Sequence, residues 1–177
     1  MNKILLLIAA LLVCNSAFCK INTRIHLKTG VNNIDLNNDG IADSIFMATY
    51  DNNTSHPNET FTVFVKSGKN WFIVPVPDDD GFTLADFRLS GSALRVNSVE
   101  LHRFKGIAYL IRGVKYAGNG DISDSSKVKF SRYKLATSNN DPGTSAFYWE
   151  AAGSYLTAQI FNSVDDAFQT LNMEMFR

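Results

Sequence analysis

Thr60-Phe61-Thr62-Val63-Phe64-Val65-Lys66 and Lys127-Val128-Lys129-Phe130-Ser131-Arg132-Tyr133 are the two stretches whose reading decides the fold. In each, side-chain character alternates with a period of two. That period sends neighbouring side chains to opposite faces of an extended strand, one dry and one wet, as antiparallel sheets require. Further runs rich in Val, Ile, Phe, Tyr and Thr lie at residues 23–27, 31–36, 44–50, 60–67, 71–76, 82–90, 93–101, 106–116, 128–136 and 145–155. Turn chemistry separates them: Lys28-Thr29-Gly30, Ser67-Gly68-Lys69-Asn70, Ser90-Gly91-Ser92 and Asn139-Asn140-Asp141-Pro142-Gly143.

The C-terminus changes period. Ser163 fits a helix N-cap, and Asp165 and Asp166 put negative charge in the first turn, where the helix dipole favours it. Val164, Ala167, Phe168, Leu171 and Met175 then recur at helical spacing on one face. The expected fold is mainly β: an antiparallel β-sandwich or curled sheet with one C-terminal amphipathic helix. Residues 20–177 read as a single domain, without linker, repeat or low-complexity tract.

The N-terminus reads differently. Residues 1–3 carry a positive charge, residues 4–13 are apolar throughout, and Ala17-Phe18-Cys19 offers a cleavage site before Lys20. This is the pattern of a secretory signal peptide over residues 1–19. The apolar run is too short for a membrane span, which needs ~20 residues. A lipoprotein reading fits less well, because Val13 and Phe18, not small residues, precede Cys14 and Cys19. Cleavage after Cys19 predicts a periplasmic or secreted protein without cysteine. Disulfides, a cysteine nucleophile and thiolate metal sites then drop out.

Composition narrows the function further. With 17 basic and 17 acidic residues, the chain offers no basic field for nucleic acid. Hydrophobic residues at 45% and charged residues at 19% suit a folded domain, not a disordered tail.

The chemically loudest segment is Asp35-Leu36-Asn37-Asn38-Asp39-Gly40-Ile41-Ala42-Asp43, which fits D-x-[DN]-x-D-G-x-x-D. Calcium needs about six to eight oxygens, and a tight loop can supply them from alternate positions. The candidate ligands are the side chains of Asp35, Asn37, Asp39 and Asp43 and the carbonyl of Ile41. Phe46 stands where an EF-hand would place its closing glutamate, and strand-like sequence flanks the loop on both sides. A structural calcium is one reading. The other is a bare turn, in which Asx side chains bond their own backbone.

Catalytic signatures are scarce. His26, His56 and His102 are isolated, and no zinc-hydrolase run, nucleophile elbow, P-loop or dinucleotide fingerprint occurs. Ser126-Lys127-Val128-Lys129 and Ser131-Arg132-Tyr133-Lys134 match S-x-x-K, and Lys28-Thr29-Gly30 matches K-T-G. Serine β-lactamases need the serine at the head of a helix with the lysine one turn on. Here both matches lie on an alternating strand, where i and i+3 diverge, and K-T-G comes first instead of last. These are chance matches. Asp78-Asp79-Asp80-Gly81 reads as a solvated turn, and the rings of Phe147-Tyr148-Trp149 and of residues 109–116 read mostly as core.

The acidic loop early in the mature chain, then Pro142-Gly143-Thr144 leading to Phe147-Tyr148-Trp149-Glu150, then Ser163-Val164-Asp165-Asp166-Ala167-Phe168 form an ordered set of anchors. That order resembles the periplasmic carbapenem self-resistance (intrinsic-resistance) proteins of Gram-negative bacteria. The resemblance implies protection against a β-lactam, with the β-lactam itself or a periplasmic protein as partner. It carries over no catalytic residue. Two alternatives stand beside it: a secreted binding or inhibitor module for a protein or polysaccharide, and a carboxylate- or metal-dependent hydrolase using Asp35, Asp39 and Asp43.

Overall fold

The computed structural model describes residues 22–51, 53–78, 81–88, 93–138 and 142–177. The expected signal peptide, residues 1–19, lies outside them. The strands, in chain order, are β1 (Asn22–Ile25), β2 (Gly30–Ile34), β3 (Asp43–Tyr50), β4 (Asn58–Ser67), β5 (Asn70–Ile73), β6 (Thr83–Ala85), β7 (Phe87–Arg88), β8 (Arg95–Phe104), β9 (Ile107–Tyr116), β10 (Lys127–Thr137) and β11 (Phe147–Leu156). A short helix α1 (Val164–Phe168) and a 3₁₀ turn (Met173–Met175) follow.

Two antiparallel sheets result. Sheet A runs β1-β8-β9-β10-β11, with β7 also on β8; sheet B runs β2-β3-β4-β5, with β6 also on β4. The alternating stretches occupy β4 and β10, one in each sheet. Of the second stretch only Tyr133, past a register shift after Ser131, turns to the sandwich, while Val128 and Phe130 face away from it. Phe61, Val63 and Val65 of β4 share a buried core with Leu101, Leu110, Tyr133 and Trp149 of sheet A. This is the sandwich interface.

Sheet A is buried on its other face too. Phe104, Ile111, Val128 and Phe130 join Val164, Ala167, Phe168, Met173 and Phe176 in a second core. Gly113 makes this close approach possible. A β-carbon there would sit 2.8 Å from Val164 Cγ1, 3.0 Å from Phe130 Cε1 and 3.1 Å from Phe168 Cε2. Arg132 closes one side of this core, its guanidinium 5.0 Å from the Tyr109 ring and 4.9 Å from the Phe176 ring. The same guanidinium donates to the Ala152 carbonyl at 2.7 Å and 2.9 Å, which satisfies its charge where water is scarce.

Two sequence expectations shift. The run at 82–90 becomes two strands, β6 and β7, because Asp86 turns inward between them and accepts the Glu59 amide at 2.6 Å. The C-terminal helix starts as expected, with Ser163 Oγ accepting the Asp165 amide at 3.3 Å. It ends at Phe168, well short of Met175. Thr170 Oγ1 donates back to the Ala167 carbonyl at 2.9 Å, and Asn172 caps a new turn by accepting the Glu174 amide at 3.0 Å. Met173 is therefore buried, and Met175 is 49% exposed.

Candidate functional site

The acidic loop joins β2 to β3; four of the five expected ligand residues, Asp35, Asn37, Asp39 and Ile41, lie in its turn, and Asp43 opens β3. Most of their oxygens accept backbone amides. Asp35 takes the Asp39 amide on Oδ1 at 3.2 Å and the Gly40 amide on Oδ2 at 2.9 Å. Asp39 takes the Ile41 amide on Oδ1 at 2.7 Å, and its Oδ2 accepts Asn37 Nδ2 at 2.9 Å. Asn37 Oδ1 accepts the Asp39 amide at 3.2 Å. Gly40 takes the positive φ of +83° that lets the chain turn back.

Asp43 differs from the others. It is fully buried at 0% exposure, where its Oδ1 accepts the Lys66 amide and its Oδ2 the Leu36 amide, both at 3.0 Å. Burial pushes its pKa up, the two amide bonds pull it down, and the charges of Asp39 and Asp35 add to the rise. Asp43 thus ties the loop to β4 from within. Among the described residues, no three His, Cys, Asp or Glu side chains converge as a metal cluster would. A hard cation at this loop would use the second lone pairs of oxygens already bonded to amides.

The cation that does reach the loop stands 65 and 68 positions along the chain from the residues it bonds, beyond the range of any local motif. Arg103, at the end of β8, donates to Asn38 Oδ1 at 3.1 Å and to the Asp35 carbonyl at 3.0 Å. It also holds the Gly106 carbonyl of its own hairpin at 3.0 Å. That hairpin is a two-residue turn with Lys105 at φ +50° and Gly106 at φ +83°, the positive values a type I′ turn needs. Arg103 therefore clamps the loop of sheet B to the hairpin of sheet A.

A second constellation lies in a cleft of about 160 Å³ between the sheets, where β1 and β8 face β3 and β4. Its floor is apolar, with Ile25, Leu27, Met47 and Phe61. Its walls carry paired charges. Arg24 meets Glu100 at 3.0 Å, with side-chain exposures of 47% and 8%. Glu59 meets Arg95 at 2.7 Å, with exposures of 51% and 18%. Arg95 Nε also lies 2.7 Å from Asp86 Oδ2, close enough for ion pairing yet out of line for a hydrogen bond. Of the histidines, only His102 enters this neighbourhood, with Nε2 2.8 Å from Glu100 and Nδ1 3.1 Å from Asn22 Oδ1. These groups lie on or beside strands far apart in the chain, so no local motif links them.

The S-x-x-K matches stay apart from all this. Ser126 is buried against the Phe161 bridge while Lys129 is exposed, and Lys134 is held by Glu150 at 2.7 Å. Of the acidic run, Asp78 accepts the Tyr133 hydroxyl; Asp79 and Asp80 lie outside the described residues. Phe147 and Trp149 are core, both 8% exposed, whereas Tyr148 and Tyr116 face solvent.

Compared with known proteins, the chain matches a family model described as carbapenem resistance protein CarG-like over residues 27–170. The chain belongs to the CarG-like family. A solved structure described as the crystal structure of CarG is similar to it, with 34% sequence identity and a TM-score of 0.82. That match covers 88% of this chain and 99% of the other. No curated protein sequence matches the chain. The CarG-like span takes in the acidic loop, sheet B, the strands of sheet A other than β1, and α1. It begins just past Arg24 and Ile25 of the cleft.

Proposed function

We propose that this protein raises carbapenem tolerance from the periplasm without turning the drug over, by binding it or by shielding its target. The observation that carries the reading is the CarG-like match, which spans nearly all of the described fold. The signal-peptide pattern at residues 1–19 supports export, and no helix among the described residues is long and apolar enough to cross a membrane. The placement of Ser126 and Ser131 on or beside a strand supports a non-enzymatic role, since neither is set against its S-x-x-K lysine.

The acidic loop is proposed to take a structural calcium ion. Burial, with the charges of Asp39 and Asp35 added, raises the cost of ionising Asp43, and a divalent cation would relieve it.

The test is export of the protein in a sensitive Gram-negative host, with carbapenem in the medium quantified over time. Tolerance should rise while drug is not consumed, and should vanish when residues 1–19 are deleted. Unchanged tolerance from a folded, exported protein would remove the reading. Drug loss that tracks the protein would replace protection with hydrolysis. For the loop, the melting temperature should rise with added calcium and fall back with a chelator; an unmoved melt would leave a bare Asx turn.

A further inference from the structure

The cleft between the sheets has an arrangement that structural ion pairs do not need. Each exposed charge at its mouth is held by a more buried partner of opposite sign. Arg24, 47% exposed, is fixed from behind by Glu100 at 8%. Glu59, 51% exposed, is fixed by Arg95 at 18%. Arg95 is itself anchored by Asp86, 5% exposed, and by Asp165 of α1 at 3.4 Å. One cation and one anion are thereby presented to solvent in fixed positions, with an apolar floor in the same cleft. A surface pair formed for stability would join the two exposed groups to each other. Here each instead leaves about half of its side chain open to solvent.

We propose that this cleft binds a small zwitterion: a carboxylate on the outer edge of Arg24, an ammonium on Glu59, and an apolar middle on Ile25, Leu27, Met47 and Phe61. Charge complementarity sets the ligand class. With the ion-paired neighbours counted, four carboxylates (Glu59, Asp86, Glu100 and Asp165) against three guanidinium groups (Arg24, Arg88 and Arg95) disfavour a simple anion, while the apolar floor disfavours a simple amino acid. A planar guanidinium whose far edge is already paired can still take a carboxylate on its near edge. The inference rests on the carbapenem reading for one choice only, the probe: a carbapenem with its ring carboxylate and a basic substituent at C2 is such a zwitterion.

The experiment is calorimetric titration of the full mature chain, with amide chemical shifts recorded in parallel. The probes are that carbapenem and its parent lacking the basic C2 group. The zwitterion should bind the wild type, with shifts centred on β1 and the first half of β8. Arg24→Ala and Glu59→Gln should each weaken it roughly tenfold, the size of one lost charge-assisted bond. Arg24→Lys keeps a charge beside Glu100, so it should fold like the wild type and lose less. Trp71→Ala, on the outer face of sheet B, should bind normally. The parent should bind more weakly, and Glu59→Gln should not change its affinity. Equal binding of both probes, shifts elsewhere on the protein, or no binding by a folded wild type would each overturn the cleft assignment. Tolerance in the export assay without binding in the cleft sinks this inference and leaves the resistance reading standing. Cleft binding with the expected losses but no tolerance does the reverse.

Discussion

Replacing Asp43 by alanine should be among the most damaging single changes to the acidic loop, and its cost follows from two bonds. The buried carboxylate bridges the Leu36 amide in the loop and the Lys66 amide on β4, each at 3.0 Å. Alanine leaves both donors without that acceptor. An orphaned buried donor costs about 1–3 kcal/mol. The Leu36 amide is fully enclosed and should bear that cost in full, whereas the Lys66 amide is partly reached by water and should bear less. The sum is about 2–5 kcal/mol, reduced somewhat because a desolvated carboxylate is also removed. For a chain of this size each kcal/mol lowers Tm by about 2–4 °C, so the expected fall is about 5–20 °C. Asp43→Asn keeps one acceptor and should lose about half as much.

The same residue predicts a pH dependence. Because burial outweighs the two amide bonds, folded Asp43 holds its proton to higher pH than the unfolded chain, whose value is near 3.8. Between the two values the folded state binds more protons, so stability should fall as pH rises through that window. Calcium, which favours the ionised carboxylate, should flatten this limb, and Asp43→Asn should abolish it. Urea midpoints at several pH values, with and without calcium, read both effects. An Asp43→Ala protein within 1 °C of wild type would refute the bridging role. A limb that survives in Asp43→Asn would refute its assignment to this group.

Three further outcomes test other parts of the fold. Gly113→Ala drives a methyl into Val164, Phe130 and Phe168, so it should cost about 1–3 kcal/mol by overpacking and lift α1 from β9, seen as a lower Tm. Burial, helped by the bond to Asp78, raises the Tyr133 pKa to about 12. The folded state therefore keeps a proton that the unfolded state sheds between pH 10 and about 12, stability should fall across that window, and Tyr133→Phe should make the fall shallower in alkaline melts. Arg103→Ala removes the bonds to Asn38 and the Asp35 carbonyl, so amide exchange in residues 35–43 should accelerate roughly tenfold or more while global stability drops by only about 1–2 kcal/mol. Unchanged exchange there would mean that Asp43 alone holds the loop.

Much of the architecture was legible in the sequence because sheet B has one wet face. On β4, Phe61, Val63 and Val65 go inward, and the outward positions are polar except for Phe64, which packs on Phe46. Sheet A is covered on both sides, so its strands carry two overlapping signals. In β9, Ala108 and Leu110 serve the sandwich while Tyr109 and Ile111 serve the helical side, and no simple alternation remains. The same ambiguity explains the helix that stopped early. Leu171 and Met175 keep helical spacing, but the chain after Phe168 must bend to bury Met173 and Phe176 against Phe104 and Tyr155, a demand set by tertiary packing.

The site was legible only where its chemistry is local. Asp35, Asn37 and Asp39 announce a turn because each bonds within a few residues of itself, whereas Asp43 reaches across to Lys66 on β4. The cleft groups act across distance: Arg24 is paired with Glu100, Glu59 with Arg95, and Arg95 with both Asp86 and Asp165. Each is an unremarkable charge on a strand until two sheets and a helix are stacked. Arg95 shows why those partners belong to one design. Its backbone amide donates to Ser163 Oγ at 3.2 Å, the atom that caps α1, while its guanidinium holds Glu59 and Asp86. The seat of the helix and the mouth of the cleft therefore depend on one residue. Conditions that loosen α1 should loosen the cleft first at Glu59 and leave the Arg24 side, fixed by Glu100, in place.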